Sequence, residues 1–211
     1  AVSDGTDTVE EILGKADAAM YLAKESGRAC LRYFDEALRD QLLERIEAER
    51  ELSGALQRNE LCLHYQPIYA TASGSLAGFE ALLRWEHPER GLVPPGQFIP
   101  AAEQSGLITE FGAWVLDEAV ALLRRWTDRY AGPDLYMSVN LSPVQLRDPA
   151  FPGSVEAVLE RWQLPASRLC LEVTETTLME YRHRSIETLQ RLRDLGVLLA
   201  IDDFGTGHSS L

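Results

Sequence analysis

Glu80, Asn140, Glu172 and the adjacent pair Asp202 and Asp203 sit within or at the ends of four separate apolar, β-prone segments. Successive side chains of a strand point to opposite faces. Glu80 therefore shares a face with Leu82 and Arg84, Asn140 with Ser138 and Ser142, Glu172 with Cys170 and Thr174, and Asp202 with Ala200. One Asp or Asn at a strand end is ordinarily a cap or turn former. A carboxylate inside an apolar strand needs a partner, because burying it alone is unfavourable. Oxygen-bearing side chains gathered from four strands onto one face would repel one another without a cation, and their hard oxygens suit Mg²⁺, Mn²⁺ or Ca²⁺ rather than zinc. The Asp202 and Asp203 pair has the donors to serve two metal ions, the arrangement that clamps attacking and leaving oxygens in phosphodiester hydrolysis. Arg84 is placed either to meet an anionic substrate or to pair with an acidic neighbour.

The elements that must carry these residues follow from periodicity. Val9 to Ser26 has apolar residues at helical spacing and meets Gly27, a stop signal; Cys30 to Phe34 is a short strand. Asp35 to Arg58 is helical again, with Leu38, Leu42, Ile46, Leu52 and Leu56 on one stripe. It is either a helix packed on its own domain or a signalling coiled coil. From Leu61 onward strands alternate with helices. Leu61 to Tyr69 and Leu76 to Trp85 form a hairpin around Thr71 to Gly74, His87 to Pro100 is loop, and helices follow at Ala101 to Ser105 and Thr109 to Arg129. Leu135 to Leu141, Leu169 to Thr174 and Val197 to Ile201 are strands, separated by helices at Gly153 to Trp162 and Ser185 to Leu195. Such a succession predicts an α/β fold with a parallel sheet, either a barrel or a doubly wound sheet, whose active site lies at the C-terminal strand ends.

Composition narrows the function classes. The excess of 33 Asp and Glu over 20 Lys and Arg gives a net charge of −13, which argues against binding nucleic-acid polymers or anionic membranes directly. Cys30, Cys62 and Cys170 are too scattered for a disulfide framework or a zinc site, and point to a reducing setting. His64, His87, His183 and His208 lack ligand spacing. No apolar run reaches the length of a membrane span and no signal peptide leads the sequence, so a cytoplasmic location is expected, with membrane anchoring of a longer parent left open.

Five separated motifs then carry a resemblance. Glu80-Ala-Leu-Leu-Arg-Trp85, preceded by His64-Tyr-Gln-Pro-Ile68 and followed by Phe98-Ile-Pro-Ala-Ala-Glu103, resembles the EAL domain family of bacterial cyclic di-GMP phosphodiesterases. Val139-Asn-Leu-Ser142, Glu172-Val-Thr-Glu175 and Asp202-Asp-Phe-Gly-Thr-Gly207 are similar to its later motifs, in order. Upstream, Ala16 to Arg28 is similar to the last helix of a GGDEF domain. The resemblance divides the chain into a GGDEF-like remnant over 1–35, a linker helix over 36–59 and an EAL domain over 60–211. It implies a TIM-barrel-like fold, a modified β/α barrel with an antiparallel first strand.

It also implies roles. Glu80, Asn140, Glu172 and Asp202 would hold one metal ion and Asp203 would help to hold a second. The ions would be Mg²⁺ or Mn²⁺, with Ca²⁺ inhibitory. Gln66 and Arg84 match substrate-contacting positions, and Glu175 matches the glutamate anchoring the loop Gly205 to Ser210, in which His208 replaces the more usual Tyr. The implied reaction is in-line attack of water on one phosphodiester bond, opening cyclic di-GMP to linear pGpG; a homodimer is the assembly the family suggests. The alternative from another class is a catalytically silent cyclic di-GMP receptor, although degenerate members usually lose metal ligands that are present here. A third reading, an unrelated metal-dependent barrel acting on carbonyl substrates, rests on fold analogy alone. The family's later lysine and general base have no counterpart in this sequence, and the strands fall short of the eight of a closed barrel. The barrel is therefore expected to be incomplete in this chain, and the chain by itself inactive or poorly folded.

Overall fold

A computed structural model describes residues 8–25, 47–130, 134–180 and 184–202. Its contacts divide the chain into two units, Ala1–Glu51 and Leu52–Leu211. The first contains helix α1, Val9–Glu25, within the helical span the periodicity predicts. The strand expected at Cys30 to Phe34 and the first half of the expected connecting helix lie outside the described residues. The helical turn over 47–52 stops short of the expected end at Arg58. Gly54, with φ +79°, and Asn59, with φ 57°, occupy left-handed conformations that a continuing helix does not allow.

The second unit begins with the anticipated hairpin. β1, Leu61–Tyr69, pairs antiparallel with β2, Leu76–His87, in a register that sets Gln66 opposite Glu80 and Leu61 opposite Trp85. Part of the predicted loop after His87 is ordered as β3, Gly91–Val93, and α2, Pro95–Ser105. Pro94 and Pro95 read as loop residues, but Pro95 opens α2 at a position where no backbone N–H is needed. α3, Leu107–Arg129, follows directly after Gly106.

Three crossovers build the remainder: β4, Tyr136–Asn140; α4, Pro143–Leu146; α5, Phe151–Trp162; β5, Leu169–Thr174; α6, Glu175–Glu180; α7, Arg184–Asp194; and β6, Leu198–Asp202. The sheet order is β1-β2-β4-β5-β6, with β3 added beside β2. β2, β4, β5 and β6 are mutually parallel. Parallel strands added in sequence order, with no reversal, match the winding of a barrel and not that of a doubly wound sheet. Among the described residues the sheet stays open.

One face of the sheet is apolar because strand parity makes it so. Ala81, Met137, Val139, Leu169, Leu171 and Val173 are buried against helices, chiefly Val115, Ala119, Val120 and Leu123 of α3 and Val155 and Leu159 of α5. Trp126 of α3 packs on the rings of Tyr65 and Phe79, at 5.7 and 4.8 Å between centroids. Gly112 of α3 permits a close crossing: a Cβ there would lie 2.1 Å from Nε2 of Gln145. Gln145 is 6% exposed and tied into a reciprocal cap with Ser142, so it has little room to yield. Gly112→Ala is expected to destabilise by about 1–3 kcal/mol, read as a lower urea midpoint; an unchanged midpoint would show that Gln145 yields freely. Among the described residues no helix is long and apolar enough to cross a membrane.

Candidate active site

The polar face of the same strands carries the residues singled out by parity. Register places Glu80 opposite Ser138, Asn140 opposite Glu172, and Thr174 opposite Asp202. The oxygen donors thus ascend diagonally from β2 to β6, the stagger that tilted barrel strands produce. Asn140 Nδ2 donates to Glu80 Oε1 at 2.7 Å, joining β4 to β2. The Ser138 hydroxyl donates to Glu172 Oε1 at 2.5 Å, joining β4 to β5. Ser138 is fully buried and was not assigned a role from the sequence. Its signal was a small hydroxyl two residues before Asn140, on the same face of an otherwise apolar strand.

Burial pushes the Glu172 carboxyl above the ordinary range; the Ser138 hydrogen bond draws it down, and the negative charges of Glu80 and Asp202 push it up further. The same charges therefore act on one point from β2 and β6. Because Glu172 holds its proton more readily folded than unfolded, the stability of metal-free protein falls as pH rises through the window from its unfolded value to its raised folded one. Glu172→Gln keeps an oxygen for Ser138 and removes the charge. It is expected to raise the Tm of metal-free protein at neutral pH, where the folded carboxyl is held charged against its surroundings. The gain should shrink as pH is lowered toward about 4. An unchanged or lowered Tm at neutral pH would count against this account.

Around this group, Gln66 is exposed on β1 opposite Glu80. Arg84 is part-buried, on Glu80's face by parity, and its Nη1 donates to the Leu83 carbonyl at 2.9 Å. The ion pair that was the other expectation for Arg84 is not among its described contacts. Glu175 opens α6 and is 7% exposed, directly after the strand that carries Glu172. Asp203 and the loop Gly205 to Ser210 lie outside the described residues. A cavity of about 410 Å³ opens beside Arg84, Asn140 and Glu172 and runs between the sheet and helices α2 and α3.

The donor types on this face suit a hard divalent cation, although among the described residues no three carboxylates are gathered closely enough to hold one. Three carboxylates and an amide share one face, Asn140 spends its nitrogen on Glu80 and so keeps its oxygen for another partner, and both Glu80 and Glu172 are oriented by side-chain hydrogen bonds of the kind that steady metal ligands.

The chain is similar to proteins of related architecture. It is 45% identical over 204 residues to the bifunctional diguanylate cyclase/cyclic di-GMP phosphodiesterase MucR of Pseudomonas aeruginosa, covering 97% of this chain and 30% of that protein. It is 38% identical over 207 residues to the cyclic di-GMP phosphodiesterase PdeR of Escherichia coli, covering 98% and 31%. The chain thus spans about a third of the length of these relatives. Among solved structures, the PaMucR phosphodiesterase in complex with cyclic di-GMP superposes with a TM-score of 0.73 at 47% identity, over 78% of this chain and 66% of that one. The EAL enzyme Bd1971, in its cAMP- and cyclic di-GMP-bound form, gives 0.76 at 31% identity, over 98% and 54%. The fold is the TIM-barrel-like α/β fold of these neighbours, here with a mixed sheet that is open among the described residues. The EAL domain model matches residues 49–211, so the strands that gather Glu80, Asn140, Glu172 and Asp202 are those of an EAL domain, and the chain belongs to that family.

Proposed function

We propose that this chain carries the metal-binding strands of a phosphodiesterase that hydrolyses cyclic di-GMP to linear pGpG. The observation that carries the reading is the convergence of Glu80, Asn140, Glu172 and Asp202 on one sheet face, with Arg84 beside them. Glu80, Asn140, Glu172 and Asp202 would hold one Mg²⁺ or Mn²⁺, and Asp203 would help to hold a second. When bound, such ions supply Lewis acidity and a nucleophilic water for phosphodiester cleavage. The chain's own residues do the rest. Ser138 and Asn140 hold the Glu172 and Glu80 carboxylates in place. Arg84 neutralises phosphate charge, and Gln66 offers its amide to the substrate from the neighbouring strand. Glu175, buried where β5 meets α6, anchors the loop that follows Asp203.

The cyclic di-GMP complexes of homologous EAL domains support the ligand, and the named phosphodiesterases support the reaction. The match to MucR extends over nearly the whole chain, including residues upstream of the EAL match. That supports a GGDEF-like origin for 1–35 and a linker over 36–59. Self-association of EAL domains in pairs and a cytoplasmic site of action complete the proposal.

Incubating the full-length protein with cyclic di-GMP and Mg²⁺ or Mn²⁺, and following pGpG by chromatography, tests it. Metal-dependent pGpG formation is the expected result. Cyclic di-GMP binding without turnover would overturn the catalytic reading in favour of a silent receptor.

A further inference from the structure

The turn that leads into β1 is fastened to the end of β2 that carries Arg84. Within the turn, the Arg58 N–H donates to the Gly54 carbonyl at 3.0 Å and the Glu60 N–H to the Ala55 carbonyl at 2.9 Å, while Leu52 and Ala55 are fully buried. The Arg58 guanidinium spans it: Nη1 donates to the Ser53 carbonyl at 2.9 Å, and Nε and Nη2 donate to the two carboxylate oxygens of Glu60 at 2.6 and 2.9 Å. Gln57 reaches from the same turn to α3, its Nε2 donating to Glu110 Oε1 at 2.8 Å.

Glu60 carries the connection into the sheet. Its side chain is 13% exposed, and its Oε2 accepts from the indole N–H of Trp85 at 3.3 Å. Its backbone carbonyl accepts from the Glu86 N–H at 2.7 Å, which extends the β1–β2 ladder one step beyond the Leu61 and Trp85 pair. One residue therefore holds both the side chain and the backbone immediately after Arg84. Trp85 is fully buried, and a buried donor deprived of its acceptor is unfavourable. The Arg58 guanidinium holds the Glu60 carboxyl below its usual range, so the acceptor stays ionised, and the paired contact fixes where its oxygens point.

Arg84 depends on its backbone for its aim. Its hydrogen bond among the described residues runs from Nη1 to the Leu83 carbonyl of its own strand, and the residue opposite it on β1 is Cys62, which brings no acceptor charge. Glu80 is held differently: it lies four residues earlier in β2, accepts from Asn140 of β4 and is flanked by Gln66 and Ser138. The two ends of the polar face thus have separate supports.

Resting on the cyclic di-GMP reading above, we infer that Glu60 is a positioning residue for Arg84: through Trp85 it holds the end of β2 where Arg84 meets the substrate phosphate, and through Arg58 it makes that hold depend on the turn leading into the strand. Disturbing this joint alters substrate binding and leaves the chemistry beside Glu80 intact.

Steady-state hydrolysis of cyclic di-GMP by the full-length protein, at saturating Mg²⁺ or Mn²⁺ and well below Tm, tests this. Glu60→Ala is expected to raise KM roughly tenfold, the effect of one weakened hydrogen bond to a charged group, with kcat within about twofold. Glu60→Gln keeps an oxygen for the indole and should return KM to within about threefold of the unaltered protein. Trp85→Phe, which lacks the N–H, should resemble Glu60→Ala. Arg58→Ala should also raise KM, and combining it with Glu60→Ala should add nothing, because both act through one tie. Should Glu60→Ala fail to fold, the Arg58→Ala and Trp85→Phe variants decide the matter by the same comparison of KM with kcat. A purely structural role would lower Tm and the folded fraction, and so kcat at an unchanged KM. That pattern, or equal KM increases in Glu60→Ala and Glu60→Gln, overturns the inference and leaves the phosphodiesterase reading standing. Failure of the unaltered protein to hydrolyse cyclic di-GMP overturns that reading and this inference with it.

Discussion

Glu80→Gln is expected to lower the rate of cyclic di-GMP hydrolysis at saturating Mg²⁺ or Mn²⁺ by roughly 10³-fold, equivalent to about 4 kcal/mol of barrier. The substitution preserves shape and even the contact, since a Gln oxygen still accepts from Asn140 Nδ2, which lies 2.7 Å from the present carboxylate. What it removes is one of the three negative charges on which the proposed cation site depends. Glu80 belongs to the middle of β2, paired on one side with Gln66 and on the other with Ser138, so the backbone has no freedom to bring another oxygen forward. Metal titration followed by calorimetry, alongside pGpG formation, separates a loss of metal from a loss of turnover. A variant retaining more than a tenth of the activity would show that Glu80 is not a metal ligand.

Trp85→Ala is expected to be the most damaging single change to the fold, destabilising by about 3–5 kcal/mol. Trp85 is fully buried at the point where β2 is flanked by both neighbours, opposite Leu61 of β1 and Val93 of β3. Its ring meets His87 and Phe98 edge-on, with centroids at 4.9 and 5.8 Å, and the Arg90 guanidinium lies 5.3 Å from its centroid. Its indole N–H donates to Glu60 at 3.3 Å, and Glu60 also accepts from Arg58. Removing the ring leaves a cavity under α2 and strips Glu60 of one of its donors. At roughly 2–4 °C per kcal/mol the expected fall in Tm is about 6–20 °C. Trp85→Phe, which keeps most of the apolar volume, should lose much less. Equal losses in the two variants would place the contribution in the indole hydrogen bond instead of the packing.

The site was legible in the sequence to the extent that it depended on parity. Apolar residues alternate with Glu80, Asn140 and Glu172 in strands short enough to be read without a partner, and the hairpin before them was marked by its own turn residues. Partners across strands were not legible. That Ser138 meets Glu172 and Asn140 meets Glu80 depends on the offset between strands, which no single segment encodes. Gln145 carried no signal either: its cap with Ser142 and its seat against Gly112, in a different helix, emerge only in the folded chain. The Pro- and Gly-rich stretch after His87 misled for a related reason. Those residues raise the odds of a turn, yet Pro95 initiates a helix once Phe98, Ala101 and Ala102 have a core to enter.

The diagonal of donors from Glu80 through Asn140 and Glu172 to Asp202 makes the site a gauge of strand alignment. Lengthening a connection between a helix and a strand, for example after Trp162, leaves each strand's inward residues unchanged. Slipping β4 by a single residue would turn Ser138 and Asn140 toward the helices and push Val139 among the carboxylates. Evolution of this chain can therefore remodel its loops cheaply, while the spacing of residues within each strand is fixed by chemistry carried out on a different strand.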